Sequence, residues 1–349
     1  MAKRISEMDV VRALATVAVV NIHISATPLI ATLKDGATTF IYLFLNVAAR
    51  FAVPTFIMLS GMGLAISKRK EGYFSFLKRR VKKVVLPYIL WSVIYTFTWD
   101  ENTGGMSLSM PTVSRLLHNL ITGDACYHVY FVIIIVQLYL LFPLIRNWLS
   151  SNTGLIISGI ITVSMISIGQ YAEIPDRWVF FFDIRNPLNW IFYFGVGIRL
   201  VRGRGIEILR SRKYKDLLSF VTLGMLGGMM LFVYRVGLRT GIDAALDALG
   251  PVIIFYTMLV NMWFWKLNWD KLPFRRSLDA ISEWSYLIYL AHPFILMLYM
   301  NLLNKMQIEH YGLIFGITAV MLVTAGSVVF VSVNRLINCA FTRNCKQSA

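Results

Sequence analysis

Charge is what this chain has least of. Only 15% of its 349 residues are Asp, Glu, Lys or Arg, while 57% are hydrophobic, and the 18 acidic residues are outnumbered by 34 basic ones. A soluble protein of this size would not carry so many long uncharged runs, so that class is set aside. Cysteine is scarce too. Cys126, Cys339 and Cys345 are the only three. Their spacing matches no metal-ligand or redox motif, so neither a disulfide scaffold nor a metal centre is expected. The chain lacks the alternating ten-residue segments of a transmembrane β-barrel. No linker, low-complexity tract or clear internal repeat interrupts it, so one domain over residues 1–349 is expected.

What is present is a series of uncharged runs. Ten lie at roughly 8–30, 38–66, 82–99, 127–146, 153–171, 187–201, 217–236, 248–266, 282–304 and 311–336, mostly near the ~20 residues a spanning helix needs. The expected fold class is all-α: a polytopic membrane protein with about ten transmembrane helices. The net charge of +16 sits between the runs. It reports orientation rather than nucleic-acid binding. With the N-terminus inside, 25 of the 34 Lys and Arg lie on the inner side and seven on the outer, with Arg12 and Arg50 inside spans. Both termini are therefore expected in the cytoplasm, and the chain in the cell membrane as a multi-pass protein. Lys3 and Arg4 before an apolar run imitate a signal peptide. Asp9 and Arg12 break that pattern and further spans follow, so the first span reads as uncleaved.

Ionisable residues inside the runs mark a functional site or a packed polar network. The first run carries Asp9, Arg12 and His23. Arg12 and His23 are separated by about three turns and about 16 Å of rise, which puts them on one helix face with Asp9 and Thr16. Arg50 and His292 each lie about 15 Å into their own runs, and His23 about 22 Å from the inner side. The three are thus at comparable depth on different spans. Arg50 reads either as a functional cation or as a brace to a backbone carbonyl at a Pro54 kink. Ser60-Gly61 reads as a site of close helix approach, and Gln137 as interhelical glue. Asn186 could cap the sixth span. Lys68-Arg-Lys70 and Lys78-Arg-Arg-Val-Lys-Lys83 suit anionic lipid or a phosphorylated ligand. Arg80 and Lys83, three apart at the start of a helix, face the same way. The loop 100–125 is the longest. It is polar and leads into Tyr127-His-Val-Tyr-Phe131, an aromatic cluster at the outer end of the fourth span. Spans five to eight show no evident site.

Five segments taken together resemble acyltransferase family 3 of membrane proteins, in its short polysaccharide-modifying branch. They are Asp9-x-x-Arg12 with His23; Arg50 with Val53-Pro-Thr-Phe-x-Met-Leu-Ser-Gly61; Arg80-x-x-Lys83 before Pro87-Tyr88; His128-x-Tyr-Phe131 with Leu138-Tyr-x-Leu-Phe-Pro143; and Ser285-Tyr-Leu-Ile-Tyr-Leu-Ala-His-Pro293. The resemblance implies a ten-helix enzyme. Such an enzyme takes acyl-CoA, commonly acetyl-CoA, from the cytoplasm and acylates hydroxyls of extracytoplasmic glycans. The family's functional arginine and histidine of span one carry over to Arg12 and His23. Its basic pair carries over to Arg80 and Lys83, with lysine, a point charge, where a planar arginine fork is usual. The Glu-Glu pair of larger members reads Ile135-Val136 here, and no appended hydrolase-like domain is expected.

On that implication His23 accepts the proton of a sugar hydroxyl or carries the acyl group. Asp9 and Arg12 complete the catalytic set with Arg50, which meets the developing oxyanion. Arg12, Arg79, Arg80 and Lys83 hold the coenzyme's phosphates. His128, Tyr130, Tyr289 and His292 meet the acceptor. No metal and no nucleic acid is expected. The expected partners are the bilayer and a surface glycan, with a polysaccharide synthase, export machinery and a homodimer left open. Two other readings stand. One is a transporter or flippase for a glycan or small anion, which a midplane polar cluster would suit. No mid-depth carboxylate or repeated broken helix supports it. The other is a sensor or assembly subunit without catalysis.

Overall fold

The structure is a computed structural model. It describes residues 5–31, 36–67, 72–100, 105–106, 108, 110–202, 205–211, 213–267, 269, 274–309 and 312–342, with side chains left aside at 27, 30, 31, 100, 105, 106, 313 and 330–342. Lys3, Arg4, Lys34, Lys68-Arg-Lys70, Lys271, Arg343, Cys345 and Lys346 lie outside the described residues, as does part of the 100–125 loop.

In chain order the helices are α1 (Ser6–Ala31), α2 (Gly36–Ala49), α3 (Ala52–Ile66), α4 (Tyr73–Arg80), a π-helical turn (Val81–Val85) and α5 (Leu86–Thr98). Two short strands pair antiparallel, β1 (Trp99–Asp100) and β2 (Gly105–Met106). Then come α6 (Val113–Thr122), α7 (Tyr130–Leu149), α8 (Asn152–Tyr171), α9 (Asp176–Phe182), a 3-10 turn (Pro187–Asn189) and α10 (Ile191–Arg202). The chain continues through α11 (Gly205–Arg210), α12 (Lys215–Thr240), α13 (Ile242–Asp247), α14 (Gly250–Lys266), α15 (Arg275–Lys305) and α16 (Leu313–Thr342). Among the described residues six stretches are long and apolar enough to cross a membrane: Ser6–Ala26, Gly36–Ile66, Tyr130–Leu149, Asn152–Tyr171, Lys215–Thr240 and Arg275–Lys305. The other four expected runs fall on α5, α10, α14 and α16. The cap expected at Asn186 is present, its side chain accepting from the Leu188 N–H at 3.0 Å.

Prolines set two departures from the expected boundaries. The second run is two helices, broken at Arg50–Phe51 and not at Pro54. In a continuous helix the Pro54 ring would collide with the carbonyl four residues back, at Arg50, so the chain gives way there. The third run starts nine residues early, at Tyr73 instead of 82. Pro87 cannot donate to the Lys83 carbonyl, and the helix widens into the π turn just before it. The Tyr286 hydroxyl donates to the Val84 carbonyl in that turn at 2.7 Å, tying α15 to it. The polar loop 100–125 also holds a helix, α6, capped by Thr112 and ended by Gly123 at φ +79°. Asn119 donates to the Thr96 hydroxyl at 3.1 Å and the Tyr88 hydroxyl to the Leu120 carbonyl at 2.9 Å, so α6 is pinned along α5. The turn after Gly123 delivers His128 to the interior, where it is 2% exposed.

Small residues let α3 and α10 lie against each other. A Cβ on Gly61 would stand 2.3 Å from the Phe194 carbonyl oxygen, and one on Gly197 would stand 2.0 Å from that of Met58. Both obstacles are backbone and cannot swing aside. Gly197→Leu should therefore cost upward of about 3 kcal/mol, read as a lowered melting midpoint of the detergent-solubilised protein. An unchanged midpoint would mean that this contact does not hold the helices.

Candidate active site

The site begins with a missing donor. Pro293 has no N–H, which leaves the Tyr289 carbonyl of α15 without its helical partner. The neighbouring imidazole fills in: His292 Nδ1 lies 2.8 Å from the Tyr289 oxygen and 3.2 Å from that of Ile288. Both oxygens only accept, so Nδ1 carries the proton and Nε2 keeps its lone pair. Nε2 is buried with no hydrogen-bond partner among the described residues. One residue on, the Tyr95 hydroxyl enters the helix ladder. It accepts from the Phe294 N–H at 3.2 Å and donates to the Leu290 carbonyl at 2.6 Å. At this point α15 is thus tied to α5.

Three imidazoles meet beside Pro293. Ring centroids lie 5.3 Å apart for His23 and His292, 5.4 Å for His128 and His292, and 6.5 Å for His23 and His128. His128 is further enclosed by Tyr95 and Tyr289, both at 5.2 Å, and Tyr289 donates its hydroxyl to the His128 carbonyl. His23 also packs on Tyr127 at 4.6 Å.

Arg50 stands at the break between α2 and α3, next to this cluster. Its Nε and Nη2 donate to the Asn46 Oδ1 at 3.2 and 3.1 Å. Asn46 in turn donates to the Ile22 carbonyl at 3.3 Å and the Ser25 hydroxyl at 3.2 Å, both on α1. A fully buried amide therefore locks the arginine to the helix that carries His23, beside His23 itself. Arg50 braces to a side chain and not to a backbone carbonyl at Pro54.

Two cavities flank the cluster. One, of about 520 Å³, is lined by His23, Arg50, His128, Tyr130, Gln170 and Asp247 among others. The other, of about 420 Å³, is lined by Arg12, Arg80 and Lys83 with Ser60, Ser285 and Tyr286. Among the described residues only Phe131 and Tyr289 line both, their rings 5.4 Å apart edge to face. These two side chains are the wall between a histidine cavity and a basic cavity.

In the basic cavity Arg12 pairs with Asp9 at 3.0 Å and donates to the Ser282 hydroxyl at 3.3 Å. The Arg80 guanidinium lies over the Tyr139 and Phe76 rings, 5.0 and 5.6 Å from their centroids. Its Nε is buried without a partner among the described residues. A cation stacked between rings keeps a planar fork aimed in one direction, which suits a phosphate. In the histidine cavity, Asp247 is exposed at the end of α13. Burial of part of its carboxyl pushes its pKa up and Asp243 adds to this, while Arg50 opposes it.

The structure thus gathers His23, Arg50, His128 and Tyr130 at one cavity, and Arg12, Arg80 and Lys83 at the other. It separates other expected partners. Arg12 lines the basic cavity and Asp9 pairs with it, about 16 and 21 Å of helix rise from His23, so they do not share its reacting atoms. Arg79 packs 5.9 Å from the Phe76 ring and does not line the basic cavity. His292 lines neither cavity and is 0% exposed, so it reaches an acceptor only through its neighbours. Tyr289 belongs to both sides. Gln137 donates to the Arg185 carbonyl at 3.0 Å, holding a connection in place as glue would. Sequence reasoning missed Asn46, whose signal was its place four residues before Arg50 on one helix face. It also missed Gln170, Asn189, Trp190 and Asp247, for which no local pattern existed.

The chain is similar to known proteins along most of its length. The family model described as an acyltransferase domain matches residues 5–333. A Bacillus subtilis (strain 168) protein, provisionally named a membrane-bound acyltransferase, is 23% identical over 348 residues, covering 93% of this chain and 90% of its own. A Staphylococcus aureus (strain MRSA252) protein, provisionally named a poly-beta-1,6-N-acetyl-D-glucosamine export protein, is 22% identical over 278 residues, 75% of this chain and 73% of its own. A Staphylococcus epidermidis protein of the same name is 26% identical over 261 residues, 70% and 68% of the two chains. No solved structure matches. With a match that runs through both cavities and the histidine cluster between them, the chain belongs to acyltransferase family 3.

Proposed function

We propose that this acyltransferase moves an acyl group, most simply acetyl, from cytoplasmic acyl-CoA to a hydroxyl of an extracytoplasmic polysaccharide. In this reading about ten helices span the cell membrane and both termini are cytoplasmic. The basic cavity opens inward and the histidine cavity outward. The observation that carries it is the pair of cavities set back to back. One is lined with cations suited to phosphates, the other with an imidazole and a guanidinium suited to acyl transfer, and two aromatic rings stand between.

Arg80, Lys83 and Arg12 hold the donor's phosphates, and the thioester reaches past Phe131 and Tyr289. The sugar oxygen attacks the thioester carbonyl while His23 takes its proton. Arg50 donates to the oxyanion that forms. The C–S bond then breaks, and the imidazolium returns the proton to the leaving sulfur. The products are an ester and free CoA thiol. If His23 instead attacks first, the acyl-imidazole passes the group to the alcohol with the same balance. Removing one charge-assisted phosphate contact costs about 1.5–3 kcal/mol. Arg80→Ala should accordingly weaken acetyl-CoA binding about 10- to 100-fold by calorimetry. Unchanged affinity would take the donor out of this cavity.

The names of the staphylococcal relatives favour a second reading, glycan export through the same path. The purified protein in vesicles, given acetyl-CoA and poly-beta-1,6-N-acetylglucosamine, separates the two. Thiol release with alkali-labile acetate on the glycan supports transfer. Glycan movement without thioester loss overturns it.

A further inference from the structure

The histidine cavity has a far wall that catalysis does not use. It is built by the middle of the chain: Gln170 at the end of α8, Asn189 closing the 3-10 turn and Trp190 just after it, Asp247 at the end of α13 and Gly250 opening α14. Three features there point to a ligand. The Asp247 carboxylate is exposed and has no hydrogen-bond partner among the described residues; the charges that act on it are Arg50 and Asp243. The Gln170 Oε1 is buried, also without a partner among the described residues. It is seated against a glycine, since a Cβ on Gly250 would stand 2.3 Å from it. The Trp190 ring is fixed, its Nε1–H donated to the Ile184 carbonyl at 2.7 Å.

We propose that Asp247, Gln170 and Trp190 form the acceptor subsite, which takes a neutral pyranose ring and presents one of its hydroxyls to His23. The proposal rests on the acyl-transfer reading above. A carboxylate and an amide oxygen accept from sugar hydroxyls. An indole face covers the C–H face of the ring, the mix of apolar wall and few polar anchors that ligand cavities use. One carboxylate and one guanidinium, Asp247 and Arg50, cancel across the cavity, so it favours an uncharged sugar over an acidic one. This gives α8, the 3-10 turn and the α13–α14 junction a function: they supply specificity while α1 and the break between α2 and α3 supply chemistry.

The test uses the detergent-purified full chain, radiolabelled acetyl-CoA, and polysaccharide extracted from a strain lacking this gene, at varied polysaccharide concentration. Asp247→Asn and Gln170→Ala should each raise the acceptor KM about tenfold and leave the acetyl-CoA KM unchanged. Gly250→Ala, which displaces Gln170 without removing it, should act in the same direction. Acceptor KM unchanged in all three, with wild-type transfer intact and lost in His23→Ala, overturns the subsite and spares the acyl-transfer reading. A parallel rise in both KM values overturns it too, as general loosening of the fold. No labelled ester from the wild type overturns the acyl-transfer reading itself, and the subsite with it.

Discussion

Replacing His23 by alanine should lower acyl transfer about 10²–10⁴-fold, the span that a positioned base contributes. The protein should still insert and bind acetyl-CoA. The reason lies in what His23 touches. Its partners are rings, Tyr127 at 4.6 Å and His292 at 5.3 Å, and it lines an open cavity. Removing it leaves no buried donor or acceptor stranded, so the helices lose little. Neither neighbour can replace it. His292 lines neither cavity and spends its Nδ1 proton on the Tyr289 carbonyl. His128 lines the same cavity but is only 2% exposed, with Tyr95 and Tyr289 packed on its ring. Labelled acetate on the glycan, measured beside donor affinity, checks the expectation. Transfer at the wild-type rate would remove His23 from the chemistry.

Arg50→Ala should cost about 10²–10³ in kcat, as losing one oxyanion donor does, with the acetyl-CoA affinity intact. Asn46 makes this prediction sharper. Its Oδ1 takes two of the five guanidinium N–H groups, and its own amide is anchored on α1. Asn46→Ala keeps the charge but frees its aim. It should therefore lower kcat about tenfold, and Asn46→Asp, which still accepts from the guanidinium, should recover part of it. If Arg50 were only a brace, Arg50→Ala would lower the melting midpoint and leave kcat per folded molecule unchanged. Single-turnover rates on the monodisperse fraction distinguish the two.

Much of this site could be read before the fold was seen, for a physical reason. An ionisable residue in an apolar run is so costly that its presence signals a purpose. Arg12, His23, Arg50 and His292 stood out on that ground, and Arg80 and Lys83 by their shared spacing. Depth arithmetic along a helix also worked, because rise per residue is fixed; His23 and His292 do meet. What the arithmetic could not supply was direction. The family resemblance put Asp9 and Arg12 in one catalytic set with His23, although the 16 Å of rise from Arg12 to His23, about three turns, leaves Arg12 at one cavity and His23 at the other. Polar uncharged residues gave no warning. Asn46, Gln170 and Trp190 matter only through neighbours from other helices, which spacing along one helix does not encode. Proline effects were legible in kind and misplaced in position, since the clash falls four residues before the ring.

The partition formed by Phe131 and Tyr289 has an electrical consequence. With polar cavities hollowed out on both sides, most of the membrane voltage would drop across two aromatic rings instead of across about 30 Å of hydrocarbon. A unit charge crossing there would gain or lose about 2.3 kcal/mol per 100 mV. An acetyl group carries none, while donor phosphates held by Arg80 and Lys83 would stay behind. Cargo exchange at this septum would thus be indifferent to the energised state of the cell, and respiring and de-energised vesicles would acylate at equal rates.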